Sequence, residues 1–457
     1  MKRNIDMLNG PLFKGILSFA IPVILTNLLQ ILFNTADLIV VGQYCGSLSV
    51  AAVSATTSLT HLIVNFFIGF SVGTGVAVAR SLGAGKLDVV QRTVHTAIPT
   101  AAICGGIVSF VGVLFSPTFL KWMDTPENVL ALSSVYMRIY FAGMIFNMLY
   151  NFSASILRAA GETKLPLFFL TVSGVLNVAL NLFFVIVLKI DVAGVALATT
   201  ISQAVSAVLT IMALIRRTDA CRLLPRKIRI YPKELSDVIR LGLPAGLQSS
   251  MFQLSNVLIT SSINSFHSDA VISGNGATQS IEGLLSSVTG AFSTTVINFI
   301  GQNSGAHRFD RVKKIYRTSM ACMAVIVITT STLIYLFREP LLSLYITDNP
   351  DALIYGVTRM HYISCLYFLL GLMDISTGAL RGLGYSFVPM IVTLMGACGL
   401  RILWIYTIFQ KHHTLACLYQ SYPVSWILTF LVEAALFLFI CNKKQKAENT
   451  LPQRSTL

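Results

Sequence analysis

The first long apolar stretch of the chain carries Asn27, Gln30, Asn34 and Asp37 at spacings of three, four and three residues. On a helix this spacing places all four on one face, opposite a face of Leu, Ile, Val and Phe. Burial disfavours the ionised form of a carboxylate in such a setting, whereas amide donors favour it. Where burial prevails, Asp37 can take up and release a proton near neutral pH. Where the amides prevail, it is a fixed acceptor that joins helices. Ser173, Asn177 and Asn181 form a second stripe, and Ser249, Gln253, Asn256 and Thr260 a third. Amides placed this way can line a cavity, ligate an ion through oxygen, or hold helices together.

Ionisable side chains inside apolar spans are costly and usually functional. Asp374, with Tyr367 one heptad before it and Thr377 three residues after, can face a cavity in the second half. Glu282 sits mid-span with no evident cation nearby. Glu433 lies near the end of the last apolar run and can reach the membrane interface. Arg138, Arg359 and Arg401 need partners or a route to water, and Arg401 has Asp374 and Glu282 as alternatives.

The elements that must position these residues follow from composition. Of 457 residues, 54% are hydrophobic and 11% charged, with a mean hydropathy of +0.73. Soluble domains carry roughly 25% charged residues, so most of this chain faces hydrocarbon or other apolar side chains. Apolar runs long enough to cross a ~30 Å core recur, and backbone groups there must pair internally, which makes helices the default. The runs are too long for the strands of a membrane barrel. The expected spans are 15–41, 51–79, 94–116, 132–157, 166–188 and 193–215, then 241–264, 271–300, 318–337, 353–380, 387–409 and 417–440. The first is too long for a signal-peptide core and lacks a cleavage site, so it is expected to stay attached.

The net charge of +14 needs no nucleic-acid partner. With alternating spans, only Lys121, Lys189, Arg338 and Lys411 fall on one side, Arg138, Arg359 and Arg401 fall within spans, and every other Lys and Arg falls on the side of the termini. By the positive-inside rule both termini are cytoplasmic in a multi-pass plasma-membrane protein. Residues 216–240, rich in Arg and Lys, read as a cytoplasmic connector near anionic lipid headgroups. The eight cysteines form no CxxC pair, and His412–His413 lacks zinc-ligand spacing. No GxxxxGK(S/T) phosphate loop is present, so energy must come from a gradient or a partner chain. No cofactor is expected, no metal apart from Na+, and no enzyme activity, since no nucleophile–base set is evident.

The chain also aligns with itself. At an offset of 222, Pro22 falls on Pro244, Asn34 on Asn256, Gly83-Ala84 on Gly305-Ala306, Asp88 on Asp310 and Tyr140 on Tyr362. After a one-residue slip, Leu157-Arg158 falls on Leu380-Arg381, Gly161 on Gly384 and Pro166 on Pro389. Each half holds six spans, an even number, so the halves share one orientation as a parallel repeat. The expected organisation is a six-helix lobe over 1–215, a linker over 216–240, a second six-helix lobe over 241–440 and a tail over 441–457.

These motifs carry a resemblance. IPVILTNLLQILFNTADLIVVG (21–42), ARSLGAGKLD (79–88), LRAAGETKLP (157–166), LNVALNLFF (176–184), VAGVALATTISQ (192–203) and LRGLGYSFVP (380–389) occur in order. The chain resembles the multidrug and toxic compound extrusion (MATE) family over nearly its full length. That resemblance implies an all-α membrane protein of twelve helices in two lobes, V-shaped about a cleft. It also implies export of organic cations or other amphiphilic small molecules against inward H+ or Na+ flow; a monomer in contact with membrane lipid is expected. Pro22 matches the family's bending first helix, Asp37 its coupling acid and Asn177 the Asn beside it, with Asn34 and Asn181 completing the ion-coupling set. Asn181 stands where many members have a second Asp. The sodium-using branch has a seventh-helix Glu, whereas Leu247 to Gln253 contains no acid here. Asp374, Glu282, Gln253 and Asn256 are the expected coupling or substrate residues of the second lobe. A lipid-linked oligosaccharide flippase of the wider superfamily is the nearest alternative, and a receptor or channel without coupled export the alternative of another class.

Overall fold

The computed structural model describes residues 5–346 and 349–449; the expected tail beyond 449, with Arg454, and Lys2 and Arg3 lie outside the described residues. Helices α1 (Leu12–Tyr44), α2 (Ser47–Gly83), α3 (Leu87–Trp122), α4 (Glu127–Ala142), α5 (Met144–Ala159), α6 (Lys164–Leu182) and α7 (Asp191–Ile215) make up the first half. The second half holds α8 (Pro232–Asn264), α9 (Asp269–Gly305), α10 (Phe309–Leu336), α11 (Arg338–Ser343), α12 (Pro350–Arg359), α13 (Tyr367–Gly382), α14 (Phe387–Thr393), α15 (Leu400–Tyr406), α16 (Ile408–Lys411) and α17 (Leu415–Asn449). No strand occurs among the described residues.

Nine helices are long and apolar enough to cross a membrane, and two bent pairs bring the number to eleven among the described residues. The pairs are α4 with α5, bent by 42°, and Pro350–Ser364 with α13, bent by 40°. They correspond to the expected spans 132–157 and 353–380, so the repeat extends to the bends. The span expected at 241–264 is α8. Its 33 residues reach about 50 Å, but Gln248, Ser249, Ser250, Gln253 and Asn256 make it less apolar than the eleven.

Repeated sequence produces repeated helix ends. Gly161 and Gly384 have φ of +81° and +90°. Glu162 N–H donates to Leu157 O at 2.9 Å, and Tyr385 N–H to Leu380 O at 3.0 Å. Each is a helix stop whose left-handed residue is cheapest as glycine.

The chain forms two compact units. Among the described residues, one comprises 25–82 and 86–246, the other 5–24, 83–85, 247–346 and 349–449. The divisions in α1 and α8 fall two residues after Pro22 and Pro244, the paired prolines of the repeat. α1 continues unbroken through Pro22, although proline removes one donor from the helix ladder.

In the first unit, α2 and the start of α8 approach backbone to backbone. A Cβ on Gly69 or Gly73 would strike the α8 backbone at Val238–Gly246, and one on Gly242 or Gly246 would strike Phe70 O or Phe66 O. Two small-xxx-small pairs in register permit this contact. Gly242→Val forces the helices apart and is expected to cost about 1–3 kcal/mol of stability. A detergent-solubilised variant that melts at the wild-type temperature contradicts this packing.

The linker docks on α3. Cys221 and Leu223 are buried, Leu224 N–H donates to His95 Nε2 at 3.1 Å, and Tyr231 N–H to Thr96 Oγ1 at 3.1 Å. Arg92 pairs with Glu234 at 3.1 Å. Burial pushes the Asp219 carboxyl up, but the Arg217 guanidinium and the Cys221 N–H outweigh it and hold it below the usual carboxylate range. The core of the second unit gathers around α9, with Phe292, Phe299, Tyr419, Trp426 and Phe437 buried. Phe19, from the first half of α1, meets Phe299 edge to face at 5.8 Å. All eight cysteines are free, and five are buried as packing groups.

Candidate functional site

In the first unit α1, α6 and α7 converge on Asp37. Asn181 Nδ2 donates to Asp37 Oδ1, and Thr199 Oγ1 lies 3.3 Å from Asp37 Oδ2. Thr199 also lies 3.0 Å from Val195 O, so its one hydroxyl hydrogen serves either the carbonyl or the carboxylate. Asn177 Nδ2 donates to Thr199 Oγ1 at 3.3 Å, and Asn181 Nδ2 is 3.5 Å from Asn177 Oδ1. Asn177 and Asn181 are buried, and Asn181 Oδ1 has no partner among the described residues. Tyr136 and Tyr140 stack with ring centroids 6.1 Å apart and lie within electrostatic reach of Asp37. No Lys, Arg or His makes an ion pair with Asp37 among the described residues. The helix changes to a π-helical turn at Phe183–Val187, directly after Asn181; such turns concentrate at functional sites.

Asp37, Asn177 and Asn181 thus share one network. Asn34 and Gln30 are exposed on α1 and do not join it. Thr199 and the tyrosine pair were not singled out by spacing. Thr199 lies in the motif VAGVALATTISQ, and a lone hydroxyl on an apolar helix reads as packing until the partner helix is known.

The second unit holds two polar networks. In the first, Arg359 forks onto Glu282, with Nε 3.2 Å from Oε1 and Nη2 2.6 Å from Oε2. Arg359 Nη1 donates to Asn275 Oδ1 at 2.6 Å, and Ser364 Oγ to Glu282 Oε1 at 3.2 Å. Glu282 therefore does have a cation, 77 residues away in sequence. Arg401 pairs with neither Asp374 nor Glu282. Its guanidinium lies 4.3 Å from the Tyr422 ring centroid and 5.6 Å from that of Trp426, an arrangement that aromatic faces favour. Arg401 donates to Ser425 at 3.0 Å and reaches Asn256 Oδ1 at 3.4 Å. Gln253 is half-buried on α8, outside both networks. Arg138 is exposed.

The second network centres on Glu433, which is 0% exposed. The side chain is enclosed by α13 and the α14 end instead of reaching out along α17 (Leu415–Asn449) to the surface. Thr377 Oγ1 lies 2.9 and 2.7 Å from its two oxygens, and Thr393 Oγ1 lies 3.0 Å from Oε1. Arg381, expected just outside the span 353–380, is buried beside it. Asp374 accepts from Thr289 and lies within electrostatic reach of Arg381.

A repeated, all-helical chain with apolar membrane-length helices and buried carboxylates between them defines a polytopic membrane transporter. The family model MatE matches it twice, over residues 22–183 and 244–407, and both matches begin at the paired prolines. The chain belongs to this family, the multidrug and toxic compound extrusion transporters. It is 27% identical to the probable multidrug resistance protein YoeA of Bacillus subtilis (strain 168), over 93% of this chain and 94% of YoeA. It is 29% identical to the probable multidrug resistance protein YpnP of the same strain, over 87% and 88%. A solved structure described as the outward-facing conformation of a multidrug resistance MATE family transporter superposes with a TM-score of 0.91 at 19% identity. It covers 98% of this chain and 99% of that one.

Proposed function

We propose that the chain is a secondary active exporter of the plasma membrane, both termini cytoplasmic, that moves amphiphilic or cationic organic molecules outward against inward proton flow by alternating access. The observation that carries this reading is Asp37, a carboxylate faced by the N–H of Asn181 and the hydroxyl of Thr199 with no cation in ion-pair contact among the described residues. Asn181 turns its N–H, not its carbonyl oxygen, to Asp37, whereas a Na+ site presents oxygens to its ion, which favours a proton over sodium. Asp37 is the proton carrier, with Asn177, Asn181 and Thr199 holding its orientation. Glu282 is bound by Arg359 and is read as structural. Asp374 remains a further coupling or substrate candidate of the second unit. The relatives named as multidrug resistance proteins support the substrate class.

The test uses inverted membrane vesicles loaded by ethidium uptake. An imposed proton gradient without sodium is expected to drive accumulation, and a sodium gradient with the proton gradient collapsed is not. Accumulation driven only by sodium replaces the ion, and accumulation driven by neither removes coupled export.

A further inference from the structure

Glu433 is a buried carboxylate that the unit-one mechanism does not use, and its surroundings have a direction. Arg381 Nη2 donates to Gln248 Oε1 at 2.6 Å. Gln248 Nε2 donates to Thr393 Oγ1 at 2.7 Å. Thr393 then donates to Glu433 Oε1 at 3.0 Å. By hydrogen bonds, Arg381 reaches the carboxylate only through an amide and a hydroxyl. No Lys, Arg or His forms an ion pair with Glu433 among the described residues.

The local charge does not balance. Arg381 serves both Glu433 and Asp374, two carboxylates for one guanidinium, and its buried Nε has no partner among the described residues. Tyr316 of α10 also faces Glu433 but donates or accepts at Ser376, 2.9 Å away. Arg359 and Arg401 meet α17 at Tyr419–Trp426, two to four turns or ~10–20 Å before Glu433 along the helix. An ion buried without a direct partner is costly, and such a group commonly takes up a proton instead.

Thr377 makes both states of the carboxyl possible. Its hydroxyl lies within bonding distance of both Glu433 oxygens, so it can donate to one and accept from a proton on the other. When Glu433 is ionised, Thr377 and Thr393 both donate to it. When Glu433 is protonated, its O–H donates to Thr377 Oγ1. The π-helical turn Leu394–Gly399 begins directly after Thr393.

We propose that Glu433 is a proton-binding residue of the second unit, with Thr377 as the hydroxyl that switches direction and with Thr393 and Gln248 relaying its state to α8 just past Pro244. This site lies beyond the Asp37 reading and stands whether or not that reading holds.

Difference infrared spectroscopy on the purified full-length protein tests it, by the carbonyl stretch of protonated carboxyl groups at neutral pH in choline chloride. A component of that band is expected to persist in Asp37→Asn and to vanish in Glu433→Gln. Thr393→Val keeps the carboxyl but removes one donor, so the same component moves to higher frequency. This variant also decides the matter if Glu433→Gln does not fold. A band unchanged by both substitutions overturns the proposal. Loss of the component when sodium replaces choline also overturns it, in favour of a cation site.

Discussion

Asp37→Asn is expected to abolish gradient-driven efflux per molecule while leaving the protein folded and inserted. The substitution keeps the size of the side chain and an oxygen that can accept from Asn181 or Thr199. Exchanging one hydrogen-bond partner for another changes stability by about 1 kcal/mol, so thermal unfolding in detergent shifts little. What disappears is the change of charge. A gradient can bias a conformational equilibrium only if the ion interacts differently with the two conformations. An amide has one state and cannot couple. Substrate can still bind, yet an inward proton gradient no longer resets the site. A structural Asp37 predicts the opposite pattern, a lower melting temperature with normal transport per molecule.

Arg359→Ala is expected to have the largest effect on stability. Arg359 and Glu282 are 3% and 5% exposed, and the guanidinium also rests 5.6 Å from the ring centroids of Tyr419 and Tyr422. Removing one partner of a buried pair leaves the other charge uncompensated, at about 3–5 kcal/mol. Removing both does not leave a charge behind. Arg359→Met combined with Glu282→Gln should therefore melt well above Arg359→Ala and close to the wild type. A double variant as unstable as the single one contradicts the view that the fork serves mainly to neutralise two buried charges.

Much of this organisation was legible in the sequence because it depends on local spacing. The paired prolines, the Gly161 and Gly384 helix stops and the i, i+4 amides at 177 and 181 are all signals within a few turns. The repeat also showed which spans correspond, although the bends in the fourth span of each half appear only in the structure.

What was not legible depends on partners distant in the chain. Glu282 has no cation near it in sequence, and helix packing supplies Arg359. Arg401 needs no carboxylate, because Tyr422 and Trp426 one helix away offer their faces. Glu433 was placed near the interface by counting from the end of an apolar run. The run Leu415–Cys441 contains no other charge, and that isolation was the available signal for a deeply placed acid. The Asn27–Asp37 stripe shares one helical face, but Gln30 and Asn34 are exposed and Asp37 is the one of these three that joins Asn181 and Thr199. A helical face states which residues point together, not how far along the face the neighbouring helix makes contact.

The central claim is that proton entry is coupled to export, and one measurement addresses it directly. Purified protein is reconstituted in sodium-free liposomes, an ethidium gradient is imposed, and lumenal pH is followed with a trapped dye. Ethidium moving down its gradient should drive protons the opposite way in the wild type, and no such movement should occur in Asp37→Asn. Ethidium flux with no accompanying proton movement in the wild type would contradict the account.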